Sequence, residues 1–209
     1  MAAPIEFYFD FTSPYGYLMS EKIDDLAARF GRKVKWRPIL LGVVFKATGA
    51  QPLAQVPLKG EYSKRDFARS ARFLGVPYEE PMTFPIATQN TARAYYWLHD
   101  RDCAVARKFA HAAYRAYFTA GRDINDIAVI LDLAQKVGAG DAPKEVPLGD
   151  AALEPALASP ELKNRLRTEV DAALAKGVCG SPYVIIDNEP FLGADRLPQI
   201  EKWLESGGF

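Results

Sequence analysis

The chain has 209 residues, 49% of them hydrophobic and 25% charged, which is enough apolar material for a sizeable core and too much for a disordered chain. Lys plus Arg and Asp plus Glu both total 26, so no net field gathers nucleic acid or anionic lipid. Cys103 and Cys179 match neither CxxC nor metal-ligand spacing, and there is neither a basic-then-apolar leader nor an apolar run of spanning length, so a reducing, cytoplasmic setting without metal or membrane is expected.

In chain order, residues 5–11 form a short aromatic run with alternating polar positions, the pattern of a strand entering a core. The run breaks at Thr12-Ser13-Pro14-Tyr15. Beyond it, Leu18, Met19, Ile23, Leu26, Ala27 and Phe30 recur at helical spacing and predict one helix. Ser13 suits the N-cap and Pro14 the first helical position, where a missing N–H loses no partner. A hydroxyl at a helix start, where free N–H groups favour an anion, serves either as a cap alone or as part of a site. Asp10, at the strand end, is either an orienting carboxylate or a solvated acid.

A second strand over 34–40 follows the helix stop at Gly31. Residues 41–60 hold Gly42, Gly49, Pro52, Pro57 and Gly60 and are expected to be mostly loop. Ordered connections of this length are often functional. The segment carries Lys46 and Lys59, whose ordinary role is solvated surface charge.

From residue 62 onward the texture is helical. Phe67, Ala71 and Leu74 mark a helix ending at Gly75, and Pro77, Pro81 and Pro85 enforce an extended stretch. Residues 91–101 and 104–119 carry aromatic stripes, and 124–137 an aliphatic one ended by Gly138. Ser159-Pro160 opens a helix that runs to Gly177. These stripes read as core with no cofactor, and His99 and His111 as structural. Strands return at 182–186 and 190–192 around an Asp187-Asn188 turn, and Asp195 is placed to cap a closing helix through Leu197, Ile200, Trp203 and Leu204. The order β-α-β, helical block, β-β-α predicts an α/β domain of residues 1–61 and 178–209, interrupted by an all-helical insert over 62–177.

This frame resembles the thioredoxin fold with the inserted all-helical domain of the DsbA-like group. That group carries a redox CxxC at the start of its first helix. Here the position reads Ser13-Pro14-Tyr15-Gly16, which leaves dithiol exchange without a chemical basis. The stretch Phe9-Asp10-Phe11-Thr12-Ser13-Pro14-Tyr15-Gly16-Tyr17-Leu18 resembles the opening signature of the kappa-class glutathione transferases and of the 2-hydroxychromene-2-carboxylate isomerases. Arg37-Pro38, Phe45-Lys46-Ala47-Thr48-Gly49, Pro57-Leu58-Lys59-Gly60-Glu61-Tyr62, Gly177-Val178-Cys179-Gly180-Ser181-Pro182 and Phe191-Leu192-Gly193-Ala194-Asp195-Arg196 follow in family order, so the resemblance covers essentially the whole chain.

The resemblance implies glutathione as cofactor, with its sulfur beside Ser13 as catalytic hydroxyl and with Pro14 and Tyr15 at the same helix start. A free thiol titrates near about 8.5, and a hydroxyl donor favours the thiolate. Pro182 falls at the cis-proline of the fold, although a plain strand-entry proline is the alternative, and Ser181 would pair with the cysteinyl backbone. Ala194 and Asp195 fall at the γ-glutamyl end. Lys59 would meet the glycyl carboxylate or the substrate acid, and Lys46 the acid. Ala50 and Ala194 stand where relatives often carry polar side chains. The implied function is a cytoplasmic, homodimeric, glutathione-dependent isomerase of small aromatic acids, specifically of 2-hydroxychromene-2-carboxylate type. The alternatives are a kappa-class-like transferase and a catalytically silent thioredoxin-like binding protein.

Overall fold

Aromatic and β-branched runs from the two ends of the chain pair into one four-stranded sheet of order β2-β1-β3-β4. The computed structural model describes residues 3–138 and 150–209. β1 (Ile5–Phe9) and β2 (Val34–Pro38) are parallel, with Phe7 opposite Trp36. A parallel pair needs a crossover, which α1 (Pro14–Ser20) and α2 (Ile23–Arg29) supply. β3 (Tyr183–Ile186) runs antiparallel to β1 and to β4 (Glu189–Leu192). Asp187 and Asn188 both take positive φ between these strands, the backbone that a two-residue hairpin turn requires.

The crossover differs from the single helix expected of its stripe. Ser20 donates its hydroxyl back to the Tyr17 carbonyl, and Glu21 turns aside to Arg115 and His111, so the helix ends and α2 starts afresh at Ile23. Residues 41–60 are also less loop-like than expected. α3 (Leu41–Thr48) forms despite Gly42 and two valines, because the buried Asp10 carboxylate accepts the N–H of its first residue and Val44 is buried beneath it. Gly49, at φ 74, ends it.

The helical block comprises α4 (Lys59–Leu74), α5 (Gln89–His99), α6 (Cys103–Ala120), α7 (Ile127–Gly138), α8 (Asp150–Ala158) and α9 (Pro160–Ala175). α8 carries Pro155 inside its helical run. Ser159 caps α9 through the Leu162 N–H, with Pro160 at its first position.

The aromatic stripes are core, and they also fasten the block to the sheet. Tyr95, Tyr96, Phe109, Tyr114 and Phe118 are buried, each worth roughly 2–3 kcal/mol on burial. The tyrosine hydroxyls find carbonyls in or just beyond the strands: Tyr95 at Trp36 (3.2 Å), Tyr96 at Pro38 (2.9 Å) and Tyr114 at Asp10 (3.0 Å). His111 packs on Trp36 and His99 beside Tyr95. At the end of the chain, Asp195 does not cap the closing helix. It lies within a 3-10 turn, Ala194–Arg196, and α10 (Leu197–Ser206) starts after it without a side-chain cap. Pro198 in the first turn of α10 makes a side-chain cap less necessary there.

Candidate active site

The site begins with the tight turn between β1 and α1. The Ser13 N–H donates to the Asp10 carbonyl (2.9 Å), which carries Ser13 out of the strand and into the N-cap of α1. Its Oγ accepts the Gly16 N–H (3.0 Å) and donates to the Ser181 carbonyl (2.9 Å). The Ser181–Pro182 peptide is cis, and Ser181 Oγ accepts the Asp10 N–H (2.9 Å). Two serines 168 residues apart in the chain are therefore locked face to face.

Gly16 is held at close quarters. A Cβ there would lie 2.7 Å from the Tyr114 hydroxyl, 2.9 Å from Ser181 Oγ and 3.1 Å from Ser13 Cβ. The space a second redox cysteine would need is already occupied by two hydroxyls.

Asp10 is the hub beneath. It is only 2% exposed, and its carboxylate accepts three donors: the Thr12 N–H (3.0 Å), the Thr88 hydroxyl (2.6 Å) and the Leu41 N–H (2.6 Å). Burial pushes its carboxyl above the ordinary range, more than Thr88, Leu41 and Thr12 pull it down. Asp10 is thus the orienting carboxylate of the two readings, joining the Ser13 turn to the starts of α3 and α5. Thr12 Oγ1 accepts the Ile86 N–H (3.1 Å), which ties in a loop with a second cis peptide, Phe84–Pro85.

Two cavities flank Tyr15. The first, about 540 Å³, has Asp10, Ser13 and Ser181 in its wall together with Leu41, Val43 and Phe45 of α3, Phe67 of α4, and Phe84 to Gln89. The second, about 530 Å³, is lined by Tyr62, Asp66 and Ser70 of α4 and by Gly193, Ala194 and Asp195. The Tyr15 ring packs edge-on against Phe67, and its hydroxyl donates to Asp66, which also pairs with Arg69. Burial and the Asp66 carboxylate push the Tyr15 phenol well above its usual value, so it stays a donor. Burial would raise Asp66, but the Tyr15 and Arg69 hydrogen bonds outweigh it and hold the carboxyl low.

The model of the DsbA-like thioredoxin domain matches residues 4–205. A 2-hydroxychromene-2-carboxylate isomerase of Sphingobium xenophagum is 32% identical over 206 residues, covering 98% of this chain and 99% of that protein. A kappa 2 glutathione S-transferase of Caenorhabditis elegans is 24% identical, covering 96% of this chain and 91% of its own. A solved structure of a 2-hydroxychromene-2-carboxylate isomerase shares the fold with a TM-score of 0.83, at 24% identity over 97% of this chain and 95% of that one. The chain belongs to the DsbA-like thioredoxin family, in the group of the 2-hydroxychromene-2-carboxylate isomerases and kappa-class glutathione transferases.

Within this family frame, the structure brings Ser13, Pro14, Tyr15 and Ser181 into one cavity wall, with Pro182 joined to it by the cis bond. Ala194 and Asp195 lie in the second cavity, across Tyr15 from Ser13. Lys46, on α3, and Lys59, the first residue of α4, are exposed and lie in neither wall. Cys103 and Cys179 are exposed free thiols, and among the described residues no group of His, Cys, Asp or Glu is arranged to hold a metal. Sequence reasoning missed Asp66, Tyr62, Thr88 and Tyr114. Asp66 carried one usable signal, because it lies one turn after Tyr62 on the exposed side of a helix read only for its apolar stripe.

Proposed function

We propose that this chain is a glutathione-dependent enzyme in which Ser13 holds the glutathione sulfur as a thiolate for attack on an electrophilic carbon. The observation that carries the reading is the Ser13 hydroxyl in a cavity wall, donating to the carbonyl before a cis-proline, where the fold's redox members have a cysteine. The Ser13 proton has one acceptor now, Ser181 O. When that carbonyl accepts the N–H of the glutathione cysteinyl residue, the hydroxyl is released to donate to sulfur, and no hydrogen bond is lost. One charge-assisted bond of this kind favours the anion, and each pKa unit corresponds to about 1.4 kcal/mol. Bound glutathione supplies the nucleophilic thiolate, and Ser13 is its stabiliser. Tyr15 separates the cavities and presents its phenol as a fixed donor to Asp66, while Asp195 offers a carboxylate to the glutamyl ammonium.

The reading closest to the Sphingobium relative is isomerisation of a hydroxychromene carboxylate by reversible thiol addition and expulsion. Transfer of glutathione onto an aromatic electrophile is the second reading, favoured by a first cavity whose described wall contains no lysine, arginine or histidine. Turnover of a hydroxychromene carboxylate and of chlorodinitrobenzene, each with and without glutathione, tests the proposal. Glutathione-dependent turnover of either compound, lost in Ser13→Ala, is the expected result. Turnover that ignores glutathione, or that survives Ser13→Ala, overturns it.

A further inference from the structure

We propose that Tyr114 is a positioning residue for the Ser13 hydroxyl, holding from α6 the turn at which Ser13 would meet the glutathione sulfur. The role rests on the glutathione reading above and deepens it by adding a residue that touches neither sulfur nor substrate. Tyr114 is fully buried and lies in neither cavity wall. Its hydroxyl donates to the Asp10 carbonyl (3.0 Å), and the same oxygen accepts the Ser13 N–H (2.9 Å). One carbonyl therefore carries both the serine and the tyrosine, using both of its lone pairs. The hydroxyl also lies against Gly16, 2.7 Å from where a Cβ would stand, and the Gly16 N–H is the donor that Ser13 Oγ accepts (3.0 Å). Tyr114 thus braces both halves of the cap: the carbonyl that holds Ser13 by its backbone, and the residue that holds it by its side chain.

The other buried tyrosines of the block show that this placement is particular. Tyr95 and Tyr96 reach the Trp36 and Pro38 carbonyls of β2, which leaves the Ser13 turn untouched. The Tyr114 ring packs against Phe9, Phe11, Tyr17 and Phe118, so packing alone needs the ring and not the hydroxyl. A donor for a charge that appears only with bound ligand has to be set in advance, and a small displacement of it costs rate more than affinity. The titratable groups beside this turn include the Asp10 carboxyl, the Tyr15 and Tyr17 phenols on α1 and Tyr114 itself. Burial keeps all three phenols protonated at neutral pH. The Asp10 carboxyl takes its donors from Thr12, Leu41 and Thr88, none of which depends on the Tyr114 hydroxyl.

Tyr114→Phe tests this, because it removes the hydroxyl and keeps the ring. With glutathione and whichever of the two electrophiles turns over, kcat at neutral pH should fall about threefold or more, while KM for glutathione stays within about twofold. The acid limb of the kcat profile should move up by about 0.5, which is the same threefold read as a thiol pKa. The two proteins should then converge at a pH above both thiol pKa values, whereas a purely structural role would lower kcat equally at every pH. Ser13→Cys gives a readout without glutathione, since it places a thiol at the cap itself. The pH dependence of its alkylation by iodoacetamide gives its pKa, followed by mass spectrometry of that peptide so that Cys103 and Cys179 do not contribute. Adding Tyr114→Phe should raise that pKa by about 0.5 or more. Should Tyr114→Phe fail to fold, Gly16→Ala drives a methyl group against the same hydroxyl and should raise the pKa likewise. A raised pKa in a protein without glutathione-dependent turnover would defeat the enzyme reading and leave the positioning role standing. An unmoved pKa of the introduced thiol overturns the inference, as does a kcat loss that is the same at every pH or a rise in KM with kcat unchanged.

Discussion

The two cavities on either side of Tyr15 are nearly equal in volume, about 540 and 530 Å³, yet they offer opposite chemistry. In the first, Asp10, Ser13, Thr88 and Ser181 are already engaged with other parts of the chain, and most of the wall is apolar. In the second, Asp66 and Asp195 bring two carboxylates into the wall, Asp66 held by Tyr15 and Arg69, and Asp195 71% exposed beside Arg196. The carboxyls at their centres are displaced in opposite directions, Asp10 upward by burial and Asp66 downward by the hydrogen bonds from Tyr15 and Arg69. Size does not distinguish the two cavities. The burial and exposure of their carboxylates do.

The largest effect expected is at the first cavity. Ser13→Ala should cut glutathione-dependent turnover more than about tenfold and raise the pKa of bound glutathione, read from thiolate absorbance against pH. The fold should survive, because a lost N-cap costs about 1 kcal/mol. Unchanged turnover would remove the chemical distinction between the cavities.

Gly16→Cys asks whether the first cavity can be returned to redox use. A side chain there meets the Tyr114 and Ser181 hydroxyls, so the variant should lose about 1–3 kcal/mol in denaturant unfolding. It should also fail to reduce insulin, since Ser13 offers no partner thiol. Full stability with disulfide reductase activity would show that the packing at Gly16 is looser than described.

Asp195→Ala probes the second cavity. An exposed carboxylate is worth no more than about 1 kcal/mol, so KM for glutathione should rise about fivefold or less, with kcat unchanged. A fall in kcat would mean that the cavities are not separate in function.

The smallest effect is a pH dependence of stability. Asp66 is held below its ordinary value of 3.8, so its contribution is complete above that value and fades as pH falls through its folded pKa. Asp66→Asn should therefore lower the urea midpoint at neutral pH and converge with the unaltered protein in strong acid. Asp10 has the opposite sign, since its raised pKa costs stability as pH rises through the folded value. A midpoint difference for Asp66→Asn that is constant across pH would show that the Tyr15 tie is not ionic.

Much of the fold was legible because its signals are local. β1, the Ser13-Pro14 helix start, the Ser159-Pro160 cap and the hairpin at Asp187-Asn188 each depend on neighbours within a few residues. α3 was not legible, because Gly42, Val43 and Val44 weaken its first turn and the deciding contact comes from Asp10, 31 positions away. The break at Glu21 needed Arg115 and His111, 94 and 90 residues on. In the site, the serine and the proline were readable from their motifs, but the positions of Lys46 and Lys59 relative to the cavities were not. A lysine's place in a segment does not tell which way its helix faces.

By itself, the sequence determined the strands and most of the helices, the cap at Ser13, the absence of paired cysteines at the first helix, and the family whose pattern those residues follow. These are properties of composition and short-range spacing, carried by backbone preferences and neighbouring hydrogen bonds. Only the tertiary structure decided that Asp10 is buried, that its carboxylate joins three elements, that Ser181 faces Ser13, and that the two cavities differ in charge. Each of these depends on which groups meet after the chain has closed, and burial then sets whether a charge is screened, paired or excluded.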